Sequence, residues 1–429
     1  MREFFKKIII GILTLEARAS FFLHRPRVVV ITGSVGKTST KDAVYAVLSK
    51  AYRVRKSKKS FNSEIGLPLT ILNLPNAWNN PFLWLLNIII GFFKIFSLWY
   101  PSWLVLELGV DRPGDMARVA GWLKSDIAIF THFPEVSVHV ENFSDNDAIL
   151  SEKERMLKTL KDDGILILNA DDKRVLSLKS KCFNKCLTYG FSDTADIKAS
   201  QVEISYEKEN PTGIIFRVDV SGNSLPMRIE KALGAGHVYP VLSALAVADA
   251  LFINSVLASS ALSEYELPPG RMRIIAGKKG STIIDDTYNS SPIALSNALA
   301  VLAEAKVFGR KIVALGDMLE LGEESRREHI KAGEKLSTIA GALIAVGERA
   351  LDIGNGARNS GMKNENIFEF KNSREAGEFL RGYIGEGDII LVKGSQSIRM
   401  ERTILPIMAK PEKARELLVR QDAKWLKKP

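Results

Sequence analysis

The chain has 429 residues, 46% hydrophobic and 25% charged, which suits two or three folded domains and excludes a disordered or fibrous protein. Lys and Arg outnumber Asp and Glu by 59 to 49, and the net charge of +10 favours acidic partners such as nucleotides, anionic sugars or an anionic membrane surface. The basic residues form no long block and do not alternate with aromatics, so nucleic acid is not expected as a partner. The two cysteines, Cys182 and Cys186, are too few for a structural zinc site and read as thiols in a reducing cytosol.

Residues 1–27 begin Met-Arg-Glu-Phe-Phe-Lys-Lys, and their apolar run, 8–15, is broken by Glu16 and Arg18. No small-residue cleavage site follows, so a basic amphipathic helix is expected here and not an export signal. A β-branched run, 28–32, then leads into Thr-Gly-Ser-Val-Gly-Lys-Thr at 32–38, and 41–49 has helical character. Residues 81–103 are strongly apolar, and within them Phe82 to Tyr100 approaches the roughly 20 residues needed to span a bilayer. Both flanks belong to one folded domain, however, so a hairpin-like or interfacial helix is expected. With residues 1–20 it would dock on the cytoplasmic leaflet; packing on its own domain is the alternative.

Short apolar runs at 104–108, 127–131 and 165–169 suit buried parallel strands, with helical character at 149–161. Strands alternating with helices predict a doubly wound α/β sheet. Residues 195–230 alternate with period two and predict antiparallel hairpins, and a helix is expected over 238–252. Leu267-Pro268-Pro269-Gly270 reads as a linker. Beyond it, strands at 282–286, 311–315, 342–346 and 388–392 restart the rhythm as a second nucleotide-fold-like domain. The basic end, 423–429, is expected to fray.

The stretch at 32–38 carries chemistry. Gly33 and Gly36 permit backbone angles that let successive N–H groups converge on phosphate oxygens. Lys37 adds a point charge for the β- and γ-phosphates, Thr38 offers a hydroxyl to Mg²⁺, and the following helix presents its positive end. ATP and Mg²⁺ are therefore the expected ligands. The spacing between Gly33 and Gly36 is two residues shorter than the strict Walker pattern.

That shortened loop resembles the form used by the Mur ligase superfamily, and further motifs follow in the family's order. They are Asn62-Ser63-Glu64-Ile65-Gly66-Leu67-Pro68, Leu106-Glu107-Leu108-Gly109, Val138-His139-Val140-Glu141-Asn142-Phe143 and Glu152-Lys153-Glu154. Gly270-Arg271-Met272, Asp285-Asp286-Thr287-Tyr288-Asn289, Gly316-Asp317-Met318 and Val392-Lys393-Gly394-Ser395 complete the series. The Asp-Asp-x-Tyr-Asn stretch is most similar to the D-alanyl-D-alanine-adding branch.

The resemblance implies a P-loop-type central domain, 28–267, with the apolar insert 81–103, a Rossmann-like ligase domain, 268–410, and a basic tail, 411–429. It also implies an ATP-dependent peptide ligase of cell-wall synthesis, working in the cytoplasm through an acyl phosphate and closing its domains to exclude water. Gly33, Ser34, Val35, Gly36, Lys37, Thr38 and Ser39 would hold ATP, with Asn169, His237, Arg271, Asp286, Tyr288 and Asn289 closing on nucleotide or substrate. Thr38 and Glu107 would bind one Mg²⁺. His139 and Lys153 would serve a second, Lys153 only after carbamylation turns its amine into a carboxylate. Lys37, Lys153 and His139 are the expected catalytic residues.

Plainer roles stay open: Glu107 as a strand-end cap, His139 as a loop histidine, Lys153 on a solvated face beside Glu152 and Glu154, Tyr288 and Asn289 as turn formers. The family's UDP-sugar-binding domain finds no room before residue 28. D-alanyl-D-alanine, or a related amine, and a cell-wall precursor are thus the expected substrates, with another carboxylate acceptor such as a glutamyl chain as the alternative. A nucleotide-binding membrane scaffold without ligase activity is a third reading.

Overall fold

The structure, a computed structural model, describes residues 2–57, 64–78, 80–110, 112–133, 143 and 146–427. The chain divides into two compact units, one of Met1–Gln201, Phe216–Met227 and Gly236–Glu266, the other of Val202–Ile215, Arg228–Ala235 and Leu267–Pro429.

The first unit begins with helix α1 (Arg2–His24) and strand β1 (Arg27–Thr32), followed by α2 (Lys37–Ser49), β2 (Val54–Lys56), α3 (Gly66–Ile71) and α4 (Pro81–Lys94). Then come β3 (Trp103–Glu107), α5 (Asp115–Ala120), β4 (Ser125–Phe130), α6 (Asn146–Glu154), β5 (Leu160–Asn169), α7 (Lys173–Leu176) and β6 (Lys185–Gly190). The strands lie parallel in the order β2-β3-β1-β4-β5-β6. Strand β1 has β3 on one side and β4 on the other, so the order reverses around it. Such a reversal opens a crevice at the carboxyl ends of the strands, where ligands of doubly wound sheets bind. Strands β1 and β3 are buried on both faces apart from Arg27, which explains their nearly unbroken Val, Leu and Ile runs.

The alternating stretch forms β7 (Ile197–Glu207), β8 (Asn210–Val220) and β9 (Asn223–Glu230), which continue the sheet order after β6. Helices α8 (Val238–Ala250) and α9 (Ser255–Ser263) follow, α8 buried on almost every side. Helix α6 ends at Glu154, and a 3₁₀ turn, Arg155–Thr159, leads straight into β5, so the α-helix expected to residue 161 stops about two turns early.

The second unit carries β10 (Arg273–Ala276), β11 (Thr282–Asp286), α10 (Pro292–Glu304), β12 (Lys311–Gly316), α11 (Ser325–Glu334) and β13 (Ala342–Val346). These are followed by α12 (Leu351–Asn359), β14 (Ile367–Phe370), α13 (Ser373–Tyr383) and β15 (Ile389–Lys393). The sheet order is β10-β11-β15-β12-β13-β14, parallel except for β10. One apolar core gathers Leu299, Val313, Leu343 and Leu391, another Ile283, Ile390, Leu380 and Ile404.

The last segment of the second unit begins at Leu267, within the stretch read as a linker, and Gly270 is fixed there: its N–H donates to Asp285 Oδ2 at 3.0 Å and its carbonyl accepts from Tyr288 N–H at 3.1 Å. The basic end is not frayed throughout, because Ala423–Leu426 form a helical turn and Arg399 donates to the Trp425 carbonyl at 2.9 Å.

Candidate active site

The loop after β1 is shaped by two glycines for different reasons. At Gly33 (φ +146°) a Cβ would stand 1.9 Å from Thr131 Oγ1, so the end of β4 presses directly on the backbone. Gly36 (φ +86°) caps α2 in the left-handed region with nothing near, so only its backbone angle demands glycine. The loop is bolted to the neighbouring strand end: Ser34 N–H donates to the His132 carbonyl at 2.8 Å, and Thr131 Oγ1 lies 2.7 Å from the Val35 carbonyl. Lys37 Nζ donates to the Gly33 carbonyl at 2.9 Å, which holds the ammonium over the loop.

Thr38, in the first turn of α2, donates its hydroxyl to Glu107 Oε2 at 2.9 Å. Glu107 is the last residue of β3 and buried; the buried Lys41 ammonium lies 3.9 Å from the same oxygen and offsets its charge. Among the described residues no three His, Cys, Asp or Glu side chains cluster as a metal cage. Two hard oxygens at a phosphate loop nonetheless fit Mg²⁺, which takes few protein ligands and completes its shell with water and phosphate.

Lys153 does not sit on a solvated face. It is 7% exposed and donates to Ser34 Oγ at 2.8 Å. Its neighbour Glu152 is buried too, accepting from Met116 N–H at 2.9 Å and pairing with Arg155 at 3.1 Å. Burial, and then the nearby Lys37 ammonium, push the Lys153 amine down to about 7. The Phe133 ring, 5.2 Å away, favours the charged form but is outweighed.

Asn169 ends β5 and is buried, its Oδ1 accepting from Asp171 N–H at 3.0 Å. His237 is buried at the N-terminal end of α8. Ser39 lies in the first turn of α2. His139 lies outside the described residues.

In the second unit the Arg271 guanidinium stacks 4.0 Å over the Tyr288 ring. Asp286 and the Asn289 carbonyl both accept from buried Lys393, at 2.6 and 2.9 Å. Behind them Asp285 is wholly buried and lifted by that burial to about 6, while Thr287 and Gly270 hydrogen-bond it.

Sequence reasoning missed several neighbours. His132 Nδ1 meets Asp172 at 2.8 Å, and Asp172 also accepts from Phe133, Arg174 and Val175 N–H groups. Burial opposes ionisation of Asp172, but these bonds hold its carboxyl below the usual range. Asp171 gathers Phe191 and Ser192 N–H groups and the Tyr239 hydroxyl, the last at 3.0 Å. A polar residue placed directly after an apolar strand was the available signal.

Residues 31–83 and 99–248 match the Mur ligase middle domain, and residues 270–396 match the Mur ligase, glutamate ligase domain. The chain belongs to the Mur ligase family. Like that family it is an ATP-dependent ligase. Among curated Mur ligases it is similar to the UDP-N-acetylmuramoyl-tripeptide–D-alanyl-D-alanine ligase of Bacillus subtilis (strain 168), at 28% identity over 90% of this chain and 76% of that one. The enzyme of the same name from Escherichia coli (strain K12) is 26% identical over 88% and 76%. In fold it resembles the MurF ligase from Thermotoga maritima in complex with ADP, with a TM-score of 0.73 at 24% identity, covering 94% of this chain and 84% of that one. A MurF from Acinetobacter baumannii gives a TM-score of 0.75 at 22% identity, over 92% and 79%.

Proposed function

We propose that this Mur ligase joins D-alanyl-D-alanine to the peptide of a UDP-N-acetylmuramoyl-tripeptide, in the cytoplasm and in peripheral contact with the membrane through residues 1–20 and 81–103. The observation that carries the catalytic reading is Lys153, drawn from a distant helix to within 2.8 Å of Ser34 on the phosphate loop. The choice of substrates is supported by the names of the similar enzymes.

A carboxylate is a poor acyl donor, because its charge repels nucleophiles and oxide leaves badly. Attack of the precursor carboxylate on the γ-phosphorus of ATP releases ADP and gives an acyl phosphate. The amine of D-alanyl-D-alanine then attacks the carbonyl carbon, loses a proton and expels phosphate, leaving an amide. The protein's part is positioning and charge neutralisation.

We assign the phosphates to Lys37 and the loop N–H groups of Gly33, Ser34, Val35 and Gly36, those of Ser34 and Val35 exchanging the His132 carbonyl for phosphate, with Ser39 beside them. Thr38 and Glu107 are the ligands we assign to Mg²⁺, which neutralises phosphate charge when bound. An amine lowered to about 7 is neutral often enough to add to CO₂, so Lys153 is suited to become a carbamate, which with His139 would hold a second Mg²⁺. We assign nucleotide or substrate contacts to Asn169 and His237 in the first unit, and to Arg271, Asp286, Tyr288 and Asn289 in the second.

Phosphate release, with mass analysis of the product, tests the proposal. Release is expected with ATP, D-alanyl-D-alanine and UDP-N-acetylmuramoyl-tripeptide together, and Lys153→Met should lower it about 10³-fold. Release with a glutamyl acceptor but not this precursor would replace the acceptor; no release with any carboxylate would defeat the ligase reading.

A further inference from the structure

Helix α4 is turned inside out. Its polar Asn87 is 3% exposed and donates Nδ2–H to the Pro75 carbonyl at 2.8 Å. Gly91 is buried against α1, where an added Cβ would stand 2.1 Å from Glu16 Oε2. The large side chains Phe82, Leu85, Ile89, Phe92 and Phe93 are exposed instead. Just beyond the helix Leu98 is 93% exposed and Trp99 83%. Soluble folds do the reverse, and contiguous apolar surface of this kind marks a binding face.

Helix α1 lies alongside and shares the arrangement. Leu13 and Ala17 enter the core, while Ile8, Leu15 and Phe22 are exposed. At about 100° per residue those three fall within an arc of about 40°. Lys7 and Arg18, both exposed, fall within about 20° of one another and about 70° from that stripe, and exposed Arg25 follows the helix end. The two helix ends are tied by His24, whose Nε2 lies 2.7 Å from the Ile95 carbonyl and whose ring stacks on Tyr100 at 4.3 Å. No Asp or Glu occurs between Glu64 and Glu107, so the face of α4 carries no acidic charge.

We infer that the outward faces of α1 and α4 form one surface that seats in the headgroup–acyl boundary of an anionic bilayer. Among the described residues no helix is long and apolar enough to cross a membrane, and the 14 residues of α4 reach about 21 Å against a hydrocarbon core of about 30 Å, so it lies in the plane. The flanking Lys and Arg suit lipid phosphates, and Trp99 suits the headgroup level. A second copy would bring the same basic stripe against itself, and a protein partner would find few hydrogen-bonding groups on the apolar face. The inference rests on the proposed cytoplasmic placement, where anionic lipid faces the enzyme; it is independent of which acceptor is joined.

Flotation of the purified full chain tests it, with vesicles of phosphatidylcholine alone or mixed with phosphatidylglycerol. The chain should float with the mixed vesicles and about ten-fold less with the neutral ones. Phe92→Glu with Phe93→Glu, both at exposed positions, should cut flotation about ten-fold while the melting temperature and phosphate release hold. Should that variant unfold, quenching of the wild-type tryptophans by brominated acyl chains reads the same contact. Wild-type chain left at the bottom of both gradients and unquenched overturns the inference. A dimer that the double variant converts to monomer, without flotation, overturns it in favour of a second copy. Lost ligase activity with intact flotation counts against the proposed reaction alone.

Discussion

Two lysines sit in dry surroundings, one in each unit, and are treated oppositely. Lys393, 2% exposed at the end of β15, meets the Asp286 carboxylate at 2.6 Å. Lys153 meets a serine hydroxyl and lies near a second ammonium, Lys37, which with burial drives its amine towards neutrality. A buried lysine hydrogen-bonded to a carboxylate and to the Asn289 carbonyl is a strut that shapes the turn at 286–289. A buried ammonium beside another ammonium gives up its proton more readily, so the same residue type serves structure in one unit and, in the proposed reaction, chemistry in the other.

Three substitutions sharpen or break this comparison. Lys393→Met leaves Asp286 buried without its partner and should cost about 3–5 kcal/mol of stability in calorimetry, most of it recovered when Asp286→Asn is added. An unchanged melting temperature would show that Lys393 is no strut. Lys153→Met should do the reverse and stabilise the nucleotide-free chain at neutral pH by on the order of 3 kcal/mol. The sign follows from protons: the folded value of about 7 lies below the unfolded 10.5, so between them only the unfolded chain keeps the proton. Wild-type stability therefore climbs as pH rises from about 7 towards 10.5, and the variant should lose that climb; a wild-type melting temperature flat from pH 7 to 9 would contradict the shifted amine.

The smallest effect lies away from the loop. Glu16 Oε2 is buried without a hydrogen-bond partner among the described residues, and burial lifts the Glu16 carboxyl from 4.5 to about 7. The folded chain holds this proton where the unfolded one has released it, so stability falls as pH rises through 4.5 to 7. Glu16→Gln should flatten that fall and gain about 1–2 kcal/mol at pH 8, measured by urea unfolding.

Much of this was legible in the chain itself. The strands around β1 show as Val, Leu and Ile runs because parallel strands are buried on both faces, and the loop shows because Gly36 answers to its backbone angle and Gly33 to the close approach of Thr131. The edge strands β2 and β14, of three and four residues, are too short to announce themselves. The solvated alternative for Lys153 arises because Glu152 and Glu154 flank it, and the Met116 N–H that occupies Glu152 is 36 residues away. His132 and Asp172 likewise meet only when β4 and β5 lie side by side. Hydropathy marked α4 as apolar, but which of its faces turns inward depends on Glu16 and Pro75, outside the helix.

The bolting of the phosphate loop to the end of β4 has a kinetic consequence. Ser34, Val35 and Gly33 are held by His132 and Thr131, so most of the conformational entropy of the loop is lost at folding and not at each encounter. Nucleotide binding should then exchange the His132 carbonyl for phosphate at two N–H groups and order little else, leaving differences in affinity between nucleotides to appear in how fast they depart.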